Sequence, residues 1–210
     1  MTALRPVLCK GRSIGVVITM VMDILARARN LLLSPSAEWR IIAAEATSVE
    51  RIYRDYVLYL AAIGPIAGFI GTSLIGIDGA RIGLVSGLVL AVLRYVITLA
   101  MLHVMAIVID RLAPHFGGRS DFLSAFKLAA YSMTAAWLAN IFTIVPALGL
   151  LAVVGLYSIY LLFAGAPVLM RIPTMKTPIY TIAVVLIGLL LNFLVGSVLA
   201  ALLVPPFFPG

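Results

Sequence analysis

Five apolar runs in this chain are each long enough to cross a bilayer, at about 56–77, 83–109, 122–145, 148–170 and 178–204. A hydrocarbon core takes roughly 20 residues in helical form. No water is at hand inside it to bond a free N–H or C=O, so each run must satisfy its own backbone, and helix does this. The expected fold is an all-α membrane protein, a five-transmembrane-helix bundle over 56–204. Composition agrees: 63% of the 210 residues are hydrophobic and 11% are charged, against about 25% charged in soluble domains.

The breaks between runs are chain punctuation. Asp78-Gly79-Ala80-Arg81 parts the first two, and residues 110–121, with Pro114, Gly117 and Gly118, part the second from the third. Val145-Pro146-Ala147-Leu148-Gly149 is an uncharged turn, and Pro173 sits in the basic link before the last run. Basic residues then fix direction. Arg5, Lys10, Arg12, Arg27, Arg29, Arg40, Arg51 and Arg54 precede the first run, Arg111, Arg119 and Lys127 attend the second link, and Arg171 and Lys176 the fourth. Only Arg81 falls on the opposite side, and Arg94 lies within a run. Such asymmetry places the N-terminus in the cytoplasm and the tail, 205–210, outside. The net charge of +7 is spread over short links rather than one long basic face, which argues against nucleic acid as a partner. A single cysteine, Cys9, excludes a disulfide framework.

Residues 1–21 carry a basic stretch and a short apolar run without a small-residue cleavage site. They are read as a disordered or non-native extension, with Met20 or Met22 as the natural start; a tail lying on the membrane is the alternative. Residues 22–55 form a cytoplasmic amphipathic region. Ile24, Leu25, Ala28, Leu31 and Leu32 share one helical face that Arg27, Arg29 and Asn30 avoid, a pattern suited to an anionic membrane surface. Ser34 is expected to cap a second helix with Pro35 in its first turn. Trp39 then falls at headgroup depth with its N–H wet, and Thr47-Ser48-Val49-Glu50 reads as a capping box for the helix entering the first run. The region serves either as a membrane anchor or as a docking platform for a cytoplasmic partner.

Three stretches carry a resemblance. "LLLSPSAEWRIIAAE" before the first run, "IDRLAPHFGGRSDFLSAFKLAAYSMTAAWLANIFTIVPALG" across the third and "GLYSIYLLFAGAPVLMRIPTMKTPIYT" around the fourth resemble bacterial members of the Yip-domain family, named for Ypt-interacting proteins. The resemblance runs from about residue 22 into the fifth run. It implies a five-helix membrane domain with a cytoplasmic N-terminal region. Eukaryotic relatives bind prenylated Rab GTPases, but their Asp-Leu-Tyr-Gly-Pro motif is not present here. Ala62-Ile63-Gly64-Pro65 keeps only Gly-Pro, so GTPase binding does not carry over.

Polar groups inside the runs are the remaining candidates. Arg94 costs a few kcal/mol at a helix centre; it either snorkels to the outer interface or faces the bundle as a site for an anionic headgroup or substrate. His103 and Asp110 lie seven residues apart on one face and form either a proton relay or two separate structural groups. Asn140 and Asn192 suit hydrogen bonding between helices. Lys127 is expected to snorkel, and with Arg27, Arg29, Arg171 and Lys176 to meet acidic headgroups. Gly64 and Gly68, then Gly79, Gly83 and Gly87, are spaced four apart and let backbones approach closely, within one chain or in a homodimer. No nucleotide loop, zinc motif or nucleophile–base pair occurs at recognisable spacing, so no catalytic, metal or cofactor set is assigned; Asp110, His115 and Asp121 are a weak metal candidate. The chain reads as a non-enzymatic membrane protein that organises lipids or a partner, another membrane or peripheral protein. The alternative is a small transporter or channel.

Overall fold

The computed structural model describes residues 21–76 and 81–207. Residues 1–20 of the expected 1–21 extension, the link 77–80 with Gly79, and the last three residues of the tail lie outside them. Among the described residues the secondary structure is helical throughout.

The first helix, α1, covers residues 21–33, and α2 is Pro35–Ala44. Pro35 starts α2 as expected, but the Ser34 side chain makes no cap. The Ser34 carbonyl does that work, accepting from the N–H groups of Ala37 and Glu38 at 3.2 Å each. The next cap is shifted by one residue from the expected box: Ser48 accepts from Arg51 N–H at 3.3 Å. From there α3 runs Val49–Ile75 with π-helical turns at Tyr53–Val57 and Ile70–Ile75. It stops at Gly76, whose φ of +89° is open to glycine alone at little cost.

The second run forms α4, Leu84–Leu112, closed by a 3-10 turn, Ala113–Phe116. Gly117, at φ +82°, ends it in the left-handed region, and Gly118 N–H reaches back to the Ala113 carbonyl at 2.9 Å. This is a standard way to satisfy the last carbonyls of a helix.

The third and fourth runs differ from expectation. The third divides into α5, Phe122–Ser132, α6, Thr134–Ala139, and a 3-10 segment, Asn140–Ile144. The fourth is 3-10 over Pro146–Leu156 and α-helical only in α7, Tyr157–Leu169. In the third run hydroxyl side chains contribute. Ser132, Thr134 and Thr143 each bond a carbonyl three residues back, at 3.1, 2.7 and 2.7 Å, which competes with the α ladder. Beyond the offset at Met133, the Ala136 N–H bonds Ser158 Oγ of α7 at 2.9 Å. The last helix, α8, is Thr177–Phe207. Among the described residues three helical stretches are therefore long and apolar enough to cross a membrane: Val49–Ile75, Leu84–Phe116 and Thr177–Leu199.

Packing is uneven along the bundle. At the end that carries the basic links, α2, α4, α5 and α7 bury Trp39, Ile42, Ile109, Phe126, Leu128 and Leu161, together with Met170 just past α7. Toward the other end α8 turns large apolar side chains outward, with Leu189 62% and Phe193 71% exposed. In water a contiguous face of that kind invites aggregation; against lipid it is the expected surface.

Candidate functional site

The N-terminal hairpin is built into the bundle rather than laid upon it. Leu31, Trp39 and Ile42 are fully buried and Ala28 nearly so. Trp39 fills a notch at Gly165 of α7: a methyl group there would stand 2.7 Å from the indole and 2.6 Å from Leu128 Cδ1. The expectation of a wet interfacial indole is thus overturned, and its N–H has no hydrogen-bond partner among the described residues. A tryptophan near an apolar boundary suits either place; only the glycine across from it decides. The corner between α1 and α2 is held by Tyr157, whose hydroxyl donates to the Leu32 carbonyl at 3.1 Å.

A charged cluster fastens this hairpin. Arg27 of α1 bonds Glu38 of α2 at 3.1 Å and Glu45, just past α2, at 2.8 Å. Its guanidinium lies 5.7 Å from the ring centroid of Tyr131 on α5, within cation–π range. Glu38 is buried. Arg27 is therefore engaged within the protein rather than offered to headgroups. Lys127 is corrected too. It is 4% exposed, and its ammonium donates to the carbonyls of Ile42 and Glu45 at 2.8 Å each. These are the terminal acceptors of α2, where the helix dipole also favours a cation. One turn on from Tyr131, Thr134 shares a 2.8 Å hydrogen bond with Tyr56 of α3. Sequence reasoning missed Glu38 and Glu45. The signal was present: they are the acidic residues of the α2 segment, and Arg27 faces them once the Ser34–Pro35 corner is read as a tight reversal.

Beside this hub lies a basic surface. The 113–121 link and the 170–177 link are joined by a backbone bond, Arg119 N–H to Met170 carbonyl at 2.9 Å. The fit depends on Gly118, where a methyl would press on Ile172 Cδ1 and on the Met170 carbonyl. Gly117 sits against Pro173 and Lys176 Nζ. Arg111, Arg119, Arg171 and Lys176 are all exposed there, as is Arg29 on α1. Met175 between them is 88% exposed.

The polar residues of the spans do not converge. Arg94 is exposed on α4 with Nη1 against Gly68 of α3. His103 lies among the rings of Tyr53, Phe122 and Phe126, 5.3–6.5 Å between centroids. Asp110 is buried and accepts from Ser120 at 2.8 Å, so no bond joins it to His103. Ser124 bonds Asp121, and the His115 ring contacts the Arg111 carbonyl; no metal-holding group of three or more acids, histidines or cysteines occurs among the described residues. Asn140 sits against Gly64. Asn140 and Asn192 border one cavity of about 560 Å³, to which Arg94, His103 and Asp110 do not contribute.

The small residues are used within the chain. Gly64 receives Asn140, Gly68 receives Arg94, and Gly87 receives Ser73 and Phe69, while Gly83 has open space beside it.

Comparison with known proteins gives the wider context. Two curated relatives, each called inner membrane protein YohC, come from Escherichia coli strains K12 and O6:H1 CFT073. Each is 34% identical over 147 residues, which is 66% of this chain and 75% of the relative. No solved structure matches. The Yip1 domain model matches residues 29–196, from the last turn of α1 to well along α8, which takes in α2 with Glu38 and Glu45, and both basic links, but begins two residues after Arg27: the chain belongs to the Yip1-domain family.

Proposed function

We propose that this protein is a non-enzymatic, multi-pass component of a bacterial inner membrane that organises anionic lipid, and through it partner proteins, at its basic face. The observation that carries the reading is the Arg119–Met170 bond. It locks two links together so that Arg119, Arg171 and Lys176 stand exposed in one patch, while the nearby carboxylate of Asp110 is buried on Ser120. Net positive charge at a membrane surface attracts anionic headgroups, at about 1 kcal/mol per basic residue. The charge asymmetry supports a cytoplasmic N-terminus and an external C-terminus. Five crossings fit if the two segmented runs also traverse the bilayer, since their α and 3-10 turns bond backbone within the segment and their exposed side chains are apolar. The α1–α2 hairpin then enters from the cytoplasmic side as a wedge.

Transport is the second reading. Its support is the placement of Asn140 and Asn192 on a cavity. The largely apolar lining of that cavity suits hydrocarbon better than a polar solute.

The test uses the full chain in nanodiscs of mixed phosphatidylglycerol and phosphatidylethanolamine, with retained lipid read by native mass spectrometry. Phosphatidylglycerol should be enriched on the protein. Joint replacement Arg119→Gln, Arg171→Gln and Lys176→Gln should reduce that enrichment on the order of 100-fold, from about 1 kcal/mol each. Equal retention of both lipids before and after substitution would refute the reading.

A further inference from the structure

We propose that the 560 Å³ cavity is a slot for one acyl chain of a membrane lipid, a binding site separate from the basic surface and independent of it. The space lies between α4, the α5–α6 segment, α7 and α8. Two of these, Leu84–Phe116 and Thr177–Leu199, are long apolar helices of membrane-crossing length. Folded interiors are close-packed, with few voids larger than a water molecule. This one is open along one side, where Val153, Leu156 and Leu189 of its lining are 61–62% exposed, so its apolar wall faces the bilayer rather than water. An apolar molecule from the bilayer is the available filler.

Length and lining select the class. Along α4 the slot extends from Ile97 to Ile109, about 18 Å at 1.5 Å per residue. One leaflet of hydrocarbon is about 15 Å deep, half of a core near 30 Å. The slot therefore matches a single extended fatty chain and is too long for a compact solute. Met101, Met105 and Met133 line its wall, and their unbranched, polarizable side chains adapt to a mobile chain. Asn140 and Asn192 border it together with Ile97, at the end away from Ile109 and the basic links. That end lies about one leaflet's depth from the basic links, so the tip of the chain falls there and its headgroup junction at the Ile109 end.

A tryptophan reports on the slot. Trp137 lines it yet is only 5% exposed, so a lipid tail touches it by entering. Trp39 is fully buried and away from the cavity. The chain is reconstituted into phosphatidylcholine vesicles whose acyl chains carry bromine, a contact quencher of indole fluorescence. The difference in emission between the native chain and Trp137→Phe isolates Trp137. We expect Trp137 to be quenched and Trp39, left alone in Trp137→Phe, to stay bright. Gly188→Leu fills the slot at the point where a side chain would meet Met105, and Thr98→Phe fills it from α4; each should return Trp137 to the brightness it has in unbrominated lipid. Circular dichroism and gel filtration identify any variant that fails to fold, and the remaining one decides. An unquenched Trp137 in the native chain, or quenching untouched by a folded plug, overturns the assignment. A slot closed by a second copy of this chain gives the first of those results. The zwitterionic vesicles keep this outcome separate from that of the basic patch.

Discussion

Trp39 occupies the space that Gly165 leaves open, with the hydrogen-only face of α7 pressed on the indole. Two elements far apart in sequence are thereby interlocked, and the N-terminal hairpin becomes part of the membrane domain. Gly165→Ala should destabilise the fold despite alanine's advantage of about 1 kcal/mol in a helix. The added methyl meets the rigid indole and Leu128, and overpacking of this kind costs about 1–3 kcal/mol. Thermal unfolding in detergent, followed by loss of the monodisperse gel-filtration peak, should come at lower temperature. A midpoint equal to or above that of the native chain would contradict the notch.

Lys127 closes the far end of the same helix. Lys127→Met keeps the length of the side chain and removes both donors to Ile42 and Glu45. Bonds to a charged group are worth about 1.5–3 kcal/mol each, and the carbonyls keep partial access to water, so the expected loss is about 2–3 kcal/mol. Proteolysis between α2 and α3 should become faster. A lysine that merely reaches the headgroups predicts no change in cleavage.

The Arg27–Glu38 pair is testable by a double-mutant cycle. Arg27→Gln and Glu38→Gln should each destabilise, and the double variant should lose less than the sum. A coupling of about 1–3 kcal/mol is expected for a directly bonded, largely covered pair. Glu45→Gln should show weaker coupling to Arg27, because the Glu45 side chain is 38% exposed and that of Glu38 only 6%. Strict additivity for Arg27 and Glu38 is the result that removes the cluster as an anchor.

Ser73 presents the opposite case. Its hydroxyl is buried, has no hydrogen-bond partner among the described residues, and crowds Gly87. Ser73→Ala should be neutral or stabilising by about 1 kcal/mol, since an unsatisfied buried hydroxyl costs about 1–3 kcal/mol. A clear destabilisation in the thermal assay would show that the hydroxyl has a partner in the membrane.

Orientation is open to direct measurement. With Cys9→Ser as background, cysteines placed at Met175 and Val85, 88% and 78% exposed, report on opposite ends of α4 and its neighbours. A membrane-impermeant maleimide should label Val85→Cys in intact cells and Met175→Cys only after the membrane is opened. The reverse pattern would invert the proposed topology.

The sequence alone determined that this chain is helical and apolar, where its runs begin and end, and which links are basic. Those properties follow from backbone hydrogen bonding and hydropathy, which act locally and leave a periodic trace. The family resemblance on "LLLSPSAEW" and its companions was legible for the same reason, since the residues stand side by side. What only the tertiary structure decided is where α1 and α2 go, and with them the roles of Trp39, Arg27 and Lys127. An amphipathic pattern states that one face avoids water; it does not distinguish lipid from protein as the alternative. That choice was made by Gly165 and Tyr157, more than 120 residues away along the chain from the Trp39 and Leu32 they receive. The segmentation of the third and fourth runs was likewise settled in three dimensions, because the Ala136 amide leaves its ladder only where Ser158 stands ready to accept it.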